Sequence, residues 1–147
     1  MRLFVLLIFS FTGICSPSIT SKFKIVEPDR TVFNDENVKY WIEYYDIKFS
    51  AIVYRQYIIE SAHGTSNICK ENHNLFGMQL PWKRKTVAIG KNRNHAVYSS
   101  FIQSIEDYKL YQKYNEKNIE FDYYSFLKKY KYSANKDYTK QLRRIKI

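Results

Sequence analysis

Among the acidic side chains, Glu60 stands where a carboxyl is most readily kept protonated. It lies in the stretch Gln56-Tyr57-Ile58-Ile59-Glu60-Ser61-Ala62-His63-Gly64-Thr65-Ser66. Upstream, Phe49, Ala51, Ile52, Val53, Tyr54, Tyr57, Ile58 and Ile59 are apolar almost all round, which predicts a helix enclosed by other elements. Gly64 is the predicted stop, because helices commonly end at a residue with positive φ. Glu60 then falls in the last turn of a core helix. A negative charge there opposes the helix dipole and loses hydration, and both effects favour the neutral acid. A carboxylic acid that keeps its proton near neutral pH is the donor that glycosidic bond cleavage requires. A satisfied surface carboxylate at a helix end fits the same stretch, and the stretch alone leaves the two readings open.

The other chemistry-bearing side chains give weaker signals. His63, His73 and His95 are available as bases or orienting groups, with surface or structural roles as the plainer reading. Cys69 reads as a small buried apolar residue, since nothing around it marks a helix N-terminus or cationic pocket. The spacing of His63, Cys69 and His73 is not that of a zinc site. No metal and no cofactor is expected.

The elements that must position Glu60 come from a chain of 147 residues, enough for one domain with its own core. Residues 1–16 read as a secretory signal peptide: Arg2, then the apolar run Leu3-Phe4-Val5-Leu6-Leu7-Ile8-Phe9, then small residues before Pro17. The run is short for a membrane span. An exported chain without stable membrane insertion is therefore expected, secreted or held in the periplasm or cell envelope. Removing the leader leaves Cys69 as the sole cysteine and excludes an intrachain disulfide. The net charge is +10, or about +9 without Arg2, so the partner is expected to be polyanionic. Export points to a bacterial wall, and no nucleic-acid partner is expected.

Residues 17–33 read as a loosely packed lead-in to a single domain over residues 34–147, which the resemblance given below makes the catalytic one. Asn34 or Asp35 is placed to cap a helix over 36–45, with Val38, Trp41, Ile42 and Tyr45 on one face. Thr65 or Ser66 is placed to cap a short turn of helix through Lys70. Asn74-Leu75-Phe76-Gly77-Met78-Gln79-Leu80-Pro81 has too much Gly and Pro for a long helix. Thr86-Val87-Ala88-Ile89 and His95-Ala96-Val97-Tyr98 predict two short strands, with 90–94 as the linker. Ser99 or Ser100 caps a helix to about Tyr114 whose inner face is Ile102, Ile105, Tyr108 and Tyr111 or Gln112. Two shorter helices follow, over 122–130 and from an Asn135 cap through Tyr138, Leu142 and Ile145.

Four stretches now align, in order, with one family: Gln56 to Ser66; Asn74-Leu75-Phe76-Gly77-Met78; Tyr98-Ser99-Ser100 with Ser104 and Asp107-Tyr108; and Tyr132-Ser133 with Tyr138 and Leu142. The chain resembles the bacterial glucosaminidase domain, glycoside hydrolase family 73, over roughly residues 46–145. The resemblance implies an α+β, mainly helical, lysozyme-like fold with a small β-hairpin lobe beside the substrate groove. It implies a monomeric peptidoglycan hydrolase, an endo-β-N-acetylglucosaminidase, whose partner is the peptidoglycan glycan strand. Glu60 matches the family's catalytic glutamate, and Tyr138 matches a tyrosine beside it, available to position an acetamido group or a water. Asn74, Phe76, Gly77 and Tyr98 are carried over as substrate-binding positions. A lysozyme, a lytic transglycosylase or a non-catalytic wall-binding relative are the alternatives. One departure stands out. Family members often carry a second carboxylate in the β lobe, whereas residues 80–98 contain no Asp or Glu and hold Lys83, Arg84, Lys85, Lys91 and Arg93 instead. Substrate assistance by the 2-acetamido group replaces that carboxylate in chemistry of this type.

Overall fold

In the computed structural model, residues 27–119 and 122–147 are described. The predicted signal peptide and most of the lead-in lie outside them.

The first helix, α1, spans Asp35–Tyr44. The side chain of Asn34 caps it by accepting from the Asn37 backbone N–H at 2.7 Å, a contact worth about 1 kcal/mol. Val38, Trp41 and Ile42 are buried along one stripe, and Tyr45 is half-buried. The end of the lead-in is pinned rather than loose. The Asn37 amide donates to the Val32 and Asp29 carbonyls, and the Phe33 ring packs on Phe101 and Tyr57.

Helix α2 covers Ser50–Ser61 and runs through the core, burying Val53, Tyr54, Gln56, Tyr57 and Ile58. It does not wait for Gly64 to stop. Ala62 takes the left-handed conformation with φ 50°, and its N–H caps Ile58 and Ile59. His63 and Gly64 follow with φ 53° and 76°. Gly64 is needed for space: a Cβ there would lie 2.5 Å from the Phe33 ring.

Helix α3, Asn67–Asn72, starts at the predicted cap Ser66. It buries Cys69, and burial pushes that thiol up to about 11, consistent with a packing role. Strands β1 (Gly90–Asn92) and β2 (His95–Val97) pair antiparallel with Lys91 opposite Ala96. The turn between them is Arg93-Asn94, both left-handed, which is the two-residue geometry that suits strand twist. The first strand is therefore displaced from 86–89 into the expected linker. Residues 86–88 are drawn off: the Ala88 N–H is taken by Thr86 Oγ1 at 3.0 Å and the Val87 N–H turns to Asp107, so only the Ile89 N–H reaches β2, at the Val97 carbonyl.

Helix α4, Phe101–Tyr114, is capped by Ser100 and buries Ile102, Ile105, Tyr108 and Gln112. Asp122 caps α5, Tyr123–Lys129. Helix α6, Tyr138–Arg144, begins three residues beyond Asn135, whose side chain accepts the Asp137 N–H and so closes the turn that leads into the helix. The fold is mainly helical α+β with one small hairpin. Among the described residues, no helix is long and apolar enough to cross a membrane.

Candidate active site

The buried run of α2 delivers Glu60 to the wall of a groove of about 550 Å³. The groove is also lined by Leu80, Trp82 and Lys83 from the lobe and by Tyr114, Tyr130 and Lys131 from the helical side. Glu60 is the only carboxylate among the described residues that line the groove. Burial raises its pKa, and the Tyr138 hydroxyl bond and the nearby His95 oppose that rise without cancelling it. The carboxyl therefore titrates above the usual range of a glutamate, as a proton donor requires.

Phe76 and Gly77 reach the groove on the 74–78 loop, which is held from three sides. The Asn74 amide donates to the Met78 and Ala96 carbonyls at 2.8 and 2.9 Å, and its oxygen accepts the Met78 N–H at 3.0 Å. Ser104 Oγ accepts the Leu75 N–H at 3.0 Å. The Tyr132 hydroxyl donates to the Phe76 carbonyl at 2.9 Å. This bracing sets Gly77, with φ 62°, directly against the Glu60 carboxyl.

Three expected site residues stand behind the wall. Asn74 is 1% exposed, with its amide spent on the loop. Tyr98 is 1% exposed, and its hydroxyl donates to Asp107 Oδ2 at 2.9 Å. Tyr138 is buried, its hydroxyl shared between Gln56 and Glu60. It touches the acid rather than the open groove.

Arg84 does not belong to a solvated basic face. Its side chain is 6% exposed and binds Asp107 through two bonds of 3.0 and 2.7 Å. Burial works to raise the Asp107 carboxyl, but Arg84, Thr86 and Tyr98 together outweigh it and hold the group below its ordinary value. This pair ties the lobe segment to α4. Glu71 pairs with Arg93 at 3.1 Å, His63 sits 3.8 Å from Asp35, and His73 bonds the Tyr98 carbonyl. Of the three histidines, His95 is the one whose charge Glu60 feels.

A sequence model of the family described as mannosyl-glycoprotein endo-beta-N-acetylglucosaminidase matches residues 37–146. The chain belongs to this glucosaminidase family. The match spans α1 through α6, so it covers both the Glu60 helix and the braced loop that faces it. The mainly helical fold with its small hairpin is accordingly of the lysozyme-like type. Membership carries a glycoside hydrolase activity and a glycan substrate. No curated protein and no solved structure matches the chain.

The aromatic rim escaped the sequence reading. Trp82 is 88% exposed, Tyr114 55% and Tyr130 40%, all lining the groove. Flat faces of this kind suit the apolar faces of sugar rings. The available signal was a lone tryptophan between Pro81 and Lys83, in a segment with no helical period to bury it.

Proposed function

We propose that this glucosaminidase is exported and hydrolyses the β-1,4 bond after N-acetylglucosamine in peptidoglycan, with Glu60 as general acid. The observation that carries the reading is Glu60 itself: a half-buried carboxyl with a raised pKa, unaccompanied by another acid among the described residues that line the groove. The leader at residues 1–16 supports export, and the cations Lys83, Lys85 and Lys91 suit an anionic wall.

In the proposed reaction the Glu60 carboxyl gives its proton to the glycosidic oxygen. The C1–O bond breaks with its electron pair on that oxygen. The 2-acetamido carbonyl oxygen of the same sugar closes on C1 to form a cyclic oxazolinium. Water then attacks C1, the Glu60 carboxylate takes the water's proton, and the acetamide is released. Two displacements retain the β configuration. The Tyr138 hydroxyl stabilises Glu60 in the carboxylate form that exists between the two steps.

A single groove acid also suits a lytic transglycosylase. Digestion of purified peptidoglycan followed by mass spectrometry separates the readings. Fragments with reducing-end N-acetylglucosamine support the proposal, and 1,6-anhydro-muramic ends or an intact wall overturn it.

A further inference from the structure

Behind Glu60 a file of polar side chains crosses the core. Gln112 Oε1 accepts the Lys48 N–H at 2.9 Å, and Gln112 Nε2 donates to the Lys48 carbonyl at 2.8 Å. A peptide N–H only donates and a carbonyl only accepts, so this pair of bonds fixes which way the Gln112 amide points. Its Nε2 also donates to the Tyr123 hydroxyl at 3.2 Å. The hydroxyls of Tyr123 and Tyr108 are 2.7 Å apart, and Tyr108 is 2.6 Å from Gln56 Oε1. Gln56 Nε2 lies 3.2 Å from the Tyr138 hydroxyl. Gln56, Gln112, Tyr108, Tyr123 and Tyr138 are all buried.

The polarity follows link by link. A hydroxyl has a single proton to donate. Tyr123 receives from Gln112, and among the described residues Tyr108 is the only other group within hydrogen-bond distance of its hydroxyl, so its own proton goes to Tyr108. The Tyr108 proton then goes to Gln56 Oε1, which turns Gln56 Nε2 toward Tyr138. Tyr138 receives from Gln56, and its proton is left for Glu60.

We propose that Gln112, Tyr123, Tyr108 and Gln56 are positioning residues for the reaction: a one-way hydrogen-bond file, set by the Lys48 peptide, that obliges Tyr138 to donate to Glu60. The file acts through Tyr138 and touches no substrate. It refines the acid role assigned to Glu60 under the glycosidase reading. Bonds in such a file polarise one another, and each link is worth more in the core than in water. Beside the file, His95 from β2 and Tyr132 from the segment before α6 act on Glu60, and the cations Lys83, Arg84 and Lys131 line its groove. None of them belongs to the file.

The test is an NMR titration of the Glu60 side-chain carboxyl carbon, which needs no substrate and so stands or falls apart from the glycosidase reading. Tyr138→Phe removes the donor, and the Glu60 pKa should move up. Tyr108→Phe keeps the ring but frees Gln56 Oε1. The amide then turns that oxygen to Tyr138 and draws its proton away from Glu60. The Glu60 pKa should move up as it does in Tyr138→Phe, and the double variant should move no further. A merely structural role for Tyr108 would lower the melting temperature and leave the titration in place, and that result overturns the proposal. An unshifted Tyr138→Phe overturns it too. If Tyr108→Phe does not fold, neutron diffraction on the unaltered protein decides: a deuteron between Tyr138 and Glu60 supports the file, and one on the Gln56 side contradicts it.

Discussion

The α-carbon of Gly77 faces the Glu60 carboxyl so closely that a Cβ built on it would lie 3.0 Å from Oε2. The loop cannot simply retreat, because Asn74, Ser104 and Tyr132 hold it. Gly77→Ala therefore crowds the acid and strains a backbone with φ 62°. A left-handed alanine costs on the order of 1 kcal/mol of stability. Displacing the acid should lower kcat by roughly tenfold to a hundredfold. Steady-state kinetics beside a thermal melt separates the two effects.

Trp82 is 88% exposed on the groove rim, with Lys83 Nζ 4.7 Å from its ring centre. Nothing in the core depends on it. Trp82→Ala should leave the melting temperature unchanged and weaken glycan binding about tenfold, or about 1.4 kcal/mol. Binding of inactive protein to wall fragments measures this without the chemical step.

The Arg84–Asp107 pair is buried on both sides, at 6% and 0% exposure. Asp107→Asn leaves the guanidinium with no carboxylate in a dry site, and breaking such a pair costs on the order of 3–5 kcal/mol. The lobe segment that carries Trp82 should loosen with it. Denaturant melts and hydrogen exchange of residues 80–89 give the readout.

Much of this architecture was legible from local rules. Asn34, Ser66 and Ser100 each cap the helix that follows, because a side-chain oxygen three residues before an unsatisfied N–H needs no tertiary partner to act. The place of Glu60 in the last turn of a buried helix was legible because an all-round apolar helix must be enclosed, whereas its role rested on the family resemblance. What failed depended on distant partners. Gly64 reads as the helix stop in sequence, but its freedom is required by the Phe33 ring, 31 positions away in the chain. Arg84 looked like one more solvated cation until α4 brought Asp107 beneath it. The resemblance places Asn74 and Tyr98 at the substrate, yet the Asn74 amide is spent on the Met78 and Ala96 carbonyls and the Tyr98 hydroxyl on Asp107. The file from Gln112 to Tyr138 joins side chains from four helices, so no window of sequence displays it.

Glu60 should also limit stability. Its folded pKa lies above the ordinary 4.5, chiefly through burial, so the folded chain holds that proton more tightly than the unfolded chain does. The contribution is full below the unfolded value and is lost as pH rises through the folded one. Glutamine does not titrate. Glu60→Gln should therefore melt higher than the unaltered protein at about pH 7, and the advantage should vanish by about pH 4. Melts at the two values check the sign.

The same variant tests the central claim most directly. An amide keeps the shape of the carboxyl but has no acidic proton to give, and removing a general acid costs on the order of a hundredfold to ten-thousandfold in rate. The measurement is the initial rate of peptidoglycan digestion by Glu60→Gln beside the unaltered protein, with folding of both verified by melting. A fall of that size in a variant that still folds and still binds the wall is the predicted result. Digestion at near the unaltered rate would contradict the account and remove Glu60 from the acid role.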